Sequence, residues 1–151
     1  MQLNRPRGLY GNEFSFAAGE TVRLATDKIE PATKSNIIAM AAPSYGWDEY
    51  TASKVSNTLT TAYTGFKAAV LESARLQGED TPVVVHTGYW GCGAFGGNRE
   101  LMAMLQMLAA EIAGLTRLVF HTVSESGLGT LEEAKNRIAA EDLDGTTSSE
   151  D

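Results

Sequence analysis

Residues 83–100 read Val-Val-Val-His-Thr-Gly-Tyr-Trp-Gly-Cys-Gly-Ala-Phe-Gly-Gly-Asn-Arg-Glu. A β-branched run leads into a glycine-dense loop, and the loop opens a helix. Val83–Val85 favour a pleated, buried strand. The glycines let backbone amides approach a ligand closely, and the start of a helix presents a partial positive charge to the same place. Strand, glycine loop and helix start together make a cradle for an anion, phosphate above all.

Outward from the loop, Pro82–Thr87 reads as a buried strand. Asn98 is placed to cap a helix that carries Leu101, Met104, Leu105, Leu108 and Ile112 on one face and ends at Gly114. Met102, Met104 and Met107 read as core filling. Leu115–Thr122 is a further strand and Leu131–Ala140 a last amphipathic helix, with Gly127 and Gly129 loosening the turn between them. Upstream, Asp48–Gln77 repeats Val55, Leu59, Ala62, Tyr63, Phe66, Val70 and Leu71 at helical spacing. Asp48 is the expected N-cap, Glu49 a first-turn charge and Gly78 the stop; Gly65 marks weakness or close packing within the helix. Ile37–Ala42 is almost wholly apolar, as in a strand buried on both faces, and Pro43 and Gly46 end it. Tyr10–Phe16 alternates like a half-buried strand, with Thr21–Thr26 as its expected partner. Strands alternating with helices predict one α/β domain with a mainly parallel sheet, spanning residues 1–140.

The 151 residues carry 43% hydrophobic and 21% charged side chains and a net charge of −7. Glu141, Asp142, Asp144, Glu150 and Asp151 lie among Gly, Thr and Ser, so residues 141–151 read as an acidic, disordered tail. The body has no basic run, which argues against duplex nucleic acid as a partner. A single cysteine excludes an internal disulfide, and one cysteine with two histidines argues against a metal site. Met1–Arg7 lacks an apolar signal-type core and no apolar run reaches membrane-spanning length, so a cytoplasmic protein without membrane partners is expected.

Gly91–Gly96 matches G-x-G-x-x-G. A Rossmann-type NAD binder would need an acid soon after the following strand, and the first beyond Thr122 is Glu125, which is late. A Walker-type loop is excluded, because no Gly-Lys-Ser/Thr follows. Cys92 with His86 or His121 as base would make a thiol nucleophile, although a lone cysteine is usually inert.

The longer string Thr87–Asn98 resembles the diphosphate-binding loop of the poly(ADP-ribose) glycohydrolase family, whose catalytic fold is of macrodomain type. Leu101–Gly114 resembles the helix after that loop, and Ala62-Tyr63 with Gly65-Phe66 the end of the helix before it. Ile37–Ala41 resembles the central strand, and Tyr10–Phe16 a segment near the substrate. The resemblance implies a macrodomain-like α/β fold, with a parallel or mixed sheet flanked by helices. It implies that Gly91, Cys92, Gly93, Ala94, Phe95 and Gly96 wrap the diphosphate of ADP-ribose or poly(ADP-ribose), that Tyr10 closes over the ligand, and that no cofactor or metal is needed.

The family's catalysis rests on a Gln-Glu-Glu segment upstream of the residue matched by Tyr10, and this sequence contains no Gln-Glu-Glu. The match therefore corresponds to the C-terminal half of the catalytic domain, with the N-terminal part missing. Such a half would bind ADP-ribose without cleaving the ribose–ribose bond and would call for a complementing N-terminal segment. The alternative class is a non-catalytic ADP-ribose or nucleotide-diphosphate binding module. Tyr89, Ala41 and Thr122 depart from the family, standing where it usually has Asn, often Asp, and an aromatic near the adenine.

Overall fold

The computed structural model describes residues 15–26, 30–32, 36–44, 48–93, 95–122 and 124–146. The chain divides into two compact units, Met1–Ile37 and Ile38–Asp151.

In the first unit, α1 spans Gly19–Leu24. This corrects the strand expected at Thr21–Thr26. Glu20 stands in the first turn and Arg23 in the last, and the two pair at 2.8 Å. Both charges complement the helix dipole, and their three-residue spacing suits a helix. The strand expected at Tyr10–Phe16 falls mostly outside the described residues; Ser15 and Phe16 have helical backbone.

The second unit holds the core. Helix α2, Ala52–Gln77, begins after Thr51, whose hydroxyl accepts the Lys54 N–H. Asp48 is therefore not the N-cap; its carboxylate pairs with the Lys54 ammonium at 3.4 Å. Gly78 ends the helix as expected, with φ of 105° and its N–H on the Ala74 carbonyl. Ala62 and Phe66 of the expected stripe are buried, while Leu71 at its far end is exposed. Gly65 marks close packing, since a Cβ there would lie 3.0 Å from Ile38 Cγ2 and Met40 Cγ. Ile37–Ala42 accordingly is no strand. Ile38 and Met40 pack into the core cluster that includes α2, so the apolar run is explained by a helix surface instead of a sheet interior.

Strands β1 (Val84–Thr87) and β2 (Arg117–Phe120) pair in parallel, with Val84 opposite Arg117 and Thr87 opposite Phe120. Helix α3, Arg99–Ala113, connects them, completing a strand–helix–strand unit. Both strands are shorter than expected and, among the described residues, they form the whole sheet. Val85 is buried in a cluster with Ala62 and Phe66 of α2 and Ala109, Ala110 and Ala113 of α3. Val84 and His86 alternate onto the opposite face, which is exposed.

Helix α4 spans Glu125–Thr146, starting earlier than the expected Leu131. Gly127 and Gly129 lie within it and not in a turn. Ser124 caps it: its hydroxyl accepts the Gly127 N–H at 3.1 Å and its carbonyl the Leu128 N–H at 3.0 Å. Leu131 and Ala134 pack with Ala103 of α3, and Tyr89, Met104, Met107 and Phe120 close around them. The described part of α4 reaches into the segment read as an acidic tail; residues 147–151 lie outside the described residues. No helix among the described residues is long and apolar enough to cross a membrane.

Candidate functional site

The glycine loop leaves the carboxyl end of β1 and enters α3, at the sheet edge where open α/β folds hold ligands. A fully buried side chain, Gln106, sets its starting point. The Gln106 amide oxygen accepts the Thr87 hydroxyl at 2.5 Å, and its nitrogen donates to the Gly88 and Met102 carbonyls at 3.0 and 3.1 Å. Sequence reasoning missed Gln106. The signal was a lone amide among Met104, Leu105, Met107 and Leu108, a polar group that burial tolerates only with partners.

Beyond Gly88 the chain folds on itself. Cys92 N–H donates to Tyr89 O, Gly96 N–H to Gly93 O, and Gly97 N–H to Gly91 O, at 3.0–3.1 Å. Gly91 and Gly96 have φ of 77° and 65°, the left-handed region that glycine enters without steric cost. A Cβ on Gly97 would approach the Gly91 carbonyl oxygen to 2.8 Å, so the closure needs glycine there. Gly93 faces open space: a Cβ would meet nothing within 4 Å. Among the described residues, the N–H groups of Gly91, Gly93 and Phe95 donate to no protein acceptor.

Asn98 ends the loop and caps α3 as expected, its side-chain oxygen accepting the Leu101 N–H at 3.0 Å. Its own N–H donates to the Tyr50 hydroxyl at 2.8 Å, a long-range support invisible in sequence. The first-turn amides of Arg99 and Glu100 have no partner within the helix, so α3 adds donors and its dipole to those of the loop. Arg99 places a guanidinium 5.4 Å from the Tyr89 ring centre. Tyr89 meets Phe120 edge-on at 5.0 Å, and its hydroxyl donates to the Gly127 carbonyl. Burial pushes the Tyr89 hydroxyl pKa above its usual value.

The structure brings Gly91, Cys92, Gly93, Phe95 and Gly96 into one loop. Ala94 and Tyr10 lie outside the described residues. Phe95 is exposed, whereas Trp90 is half-buried and lines an open cleft of about 250 Å³ with Pro43, Asn57 and Thr61. Burial pushes the Cys92 thiol up to about 11, with Arg99 opposing the shift, and its Sγ lies 3.6 Å from the Trp90 carbonyl oxygen. A thiol so protonated at neutral pH is a poor nucleophile. His86 Nδ1 and His121 Nε2 are hydrogen-bonded to each other. Among the described residues no group of three or more His, Cys, Asp or Glu could hold a metal. What the arrangement can do chemically is accept an anion through backbone N–H groups.

Residues 2–130 match the family described as poly(ADP-ribose) glycohydrolase (PARG), macro domain fold. Among curated proteins, the chain is similar to a probable poly(ADP-ribose) glycohydrolase 2 of Arabidopsis thaliana, 26% identical over 165 residues. That alignment covers 89% of this chain and 31% of the relative, so the chain spans about a third of the relative's length.

Proposed function

The chain belongs to the poly(ADP-ribose) glycohydrolase family, with its macro domain fold, and on that premise we propose that its glycine loop holds the diphosphate of ADP-ribose or of a poly(ADP-ribose) unit. The observation that carries this reading is the set of N–H groups at Gly91, Gly93 and Phe95 that meet no acceptor among the described residues, beside the start of α3. Gly91, Gly93 and Phe95 supply backbone donors, Cys92, Ala94 and Gly96 complete the loop around the diphosphate, and the dipole of α3 favours the negative charge. Arg99, the first residue of α3, adds a cation at that helix start.

A glycohydrolase acting on ribose–ribose bonds also needs a positioned carboxyl group. This sequence has no Gln-Glu-Glu, and two of its acids near the loop are engaged: Glu100 with Arg137, and Asp48 with Lys54. The chain by itself therefore binds ADP-ribose and leaves the glycosidic bond intact.

Titration calorimetry with ADP-ribose tests the first part, with Gly93→Glu as the control. Gly93 faces open space, so the glutamate fits the fold and puts a carboxylate in the phosphate position. Binding that this variant abolishes is the expected outcome. A folded chain that ignores ADP-ribose overturns the reading, and release of ADP-ribose from the polymer by the isolated chain overturns the second part.

A further inference from the structure

Consecutive residues of the glycine loop pack on different helices. Tyr89 joins the cluster beside α4, and Trp90 the cluster with α2. Trp90 lines a cleft of about 250 Å³ between α2 and residues 41–44. Pro43 joins the wall of this cleft to the loop, since a Cβ on Gly91 would lie 3.1 Å from Pro43 Cδ. The cleft therefore opens beside Gly91, whose N–H is one of the donors proposed for the diphosphate.

Polar side chains in this cleft are unspent. The Trp90 backbone is engaged, its N–H with the Gly88 carbonyl at 2.8 Å, yet its indole N–H meets no acceptor among the described residues. The Ser44 hydroxyl and the Asn57 side-chain amide likewise have no partner among them. The Thr61 hydroxyl donates to the Asn57 carbonyl at 2.8 Å and keeps lone pairs to accept. A half-buried indole N–H ordinarily finds a partner, so this one is placed for a ligand. No charged side chain among the described residues lines the cleft, which offers nothing to a phosphate or an ammonium group. Its neutral donors and acceptors come from residue 44, from α2 and from the loop, and so stand around the space. That arrangement suits hydroxyls set around a sugar ring, whereas a nucleobase carries its polar atoms in one plane.

We propose that this cleft holds the terminal ribose of ADP-ribose, the pentose joined to the diphosphate on the side away from adenosine. Ser44, Asn57 and the Trp90 indole N–H hydrogen-bond its hydroxyls, Thr61 accepts from one of them, and Pro43 covers its apolar surface. The assignment rests on the loop holding the diphosphate. It adds what a phosphate cradle alone does not supply, a preference for a ribosylated diphosphate over a plain nucleoside diphosphate. The loop reads charge and the cleft reads hydroxyls, a division usual in ligand sites where a few placed polar groups fix orientation.

The test follows the N–H signals of the unaltered chain by NMR during titration with ADP-ribose and, separately, with ADP, which carries adenosine and the diphosphate but no terminal ribose. The chain has two tryptophans, and Trp47→Phe identifies the Trp90 indole signal. Both ligands should shift the loop amides. Only ADP-ribose should shift the Trp90 indole N–H and the Asn57 side-chain amide. Asn57→Ala, at an exposed position of α2, should weaken ADP-ribose relative to ADP about fivefold, the loss of one neutral hydrogen bond. An unchanged ratio, cleft signals that stay fixed while ADP-ribose shifts the loop, or cleft signals that ADP shifts as fully would overturn the assignment and leave the loop reading standing. Loop amides that neither ligand moves would overturn both.

Discussion

Cys92 sits in the middle of the glycine loop, and its thiol is held protonated there. An unfolded thiol titrates near about 8.5, whereas the folded loop holds Cys92 up to about 11. Between those values the unfolded chain has lost the proton and the folded chain keeps it. Stability is therefore flat below the window and falls as pH rises through it. At pH 7.5 the folded chain should react with iodoacetamide on the order of 10²-fold more slowly than the urea-unfolded chain, since the thiolate is the reactive species. Equal rates, corrected for urea with a free-thiol peptide, would show the thiol to be unperturbed. Gln106 is the converse case, a polar residue buried for position. Two of its three hydrogen bonds tie Thr87 and Gly88 to α3, and the third returns to Met102 within the helix, so the loop starts from a rigid point.

Among the elements, α3 is the most completely specified. Asn98 caps one end through Leu101. At the other, Gly114 enters the left-handed region at φ 79°, and the N–H groups of Gly114 and Leu115 return to the Glu111 and Ala110 carbonyls. That pairing is the Schellman termination, which satisfies carbonyls a helix end would otherwise leave open. Asn98→Ala should cost about 1 kcal/mol of unfolding free energy in urea. An unchanged urea midpoint would mean that the Tyr50 hydroxyl alone holds the entry to the helix. Helix α4 owes its early start to contacts outside itself. A Cβ on Gly127 would collide with the Thr122 carbonyl, and the Gly127 carbonyl accepts the Tyr89 hydroxyl. The residue that reads as a helix breaker is thus the one that lets α4 close against the strand end and the glycine loop.

At the scale of the molecule, the main core cluster of the second unit packs alanines and valines around one large side chain. Phe66 is 1% exposed and packs among Ala62, Ala109, Ala110, Ala113 and Val85. Alanines cannot swing into a vacated space, so Phe66→Ala should leave most of its cavity open and cost about 3–5 kcal/mol. Set against a usual total of about 5–15 kcal/mol for a domain, the variant should be largely unfolded at 37 °C by circular dichroism. A loss below about 1 kcal/mol would place the stability elsewhere. The sheet adds to this economy. Among the described residues only one of its faces is covered by helices, and Val84 and His86 project from the other.

The sequence by itself determined the strand–loop–helix unit, the Asn98 cap and the Gly78 and Gly114 stops, because these depend on neighbours within a few residues. Residue types and their spacing carry such local rules directly. Only the tertiary structure decided the rest. Ile37–Ala42 has the composition of a strand, yet Ile38 and Met40 pack with a helix, since burial rewards apolar surface without regard to the partner. Thr51 replaces Asp48 as cap because packing starts the helix at Ala52, one turn later than the sequence suggests. Gln106 and Tyr50 reach the loop from 18 and 48 positions away. The two histidines become a hydrogen-bonded pair only when β1 and β2 align in register. Distances between residues far apart in the chain are set by packing, and no reading of neighbours contains them.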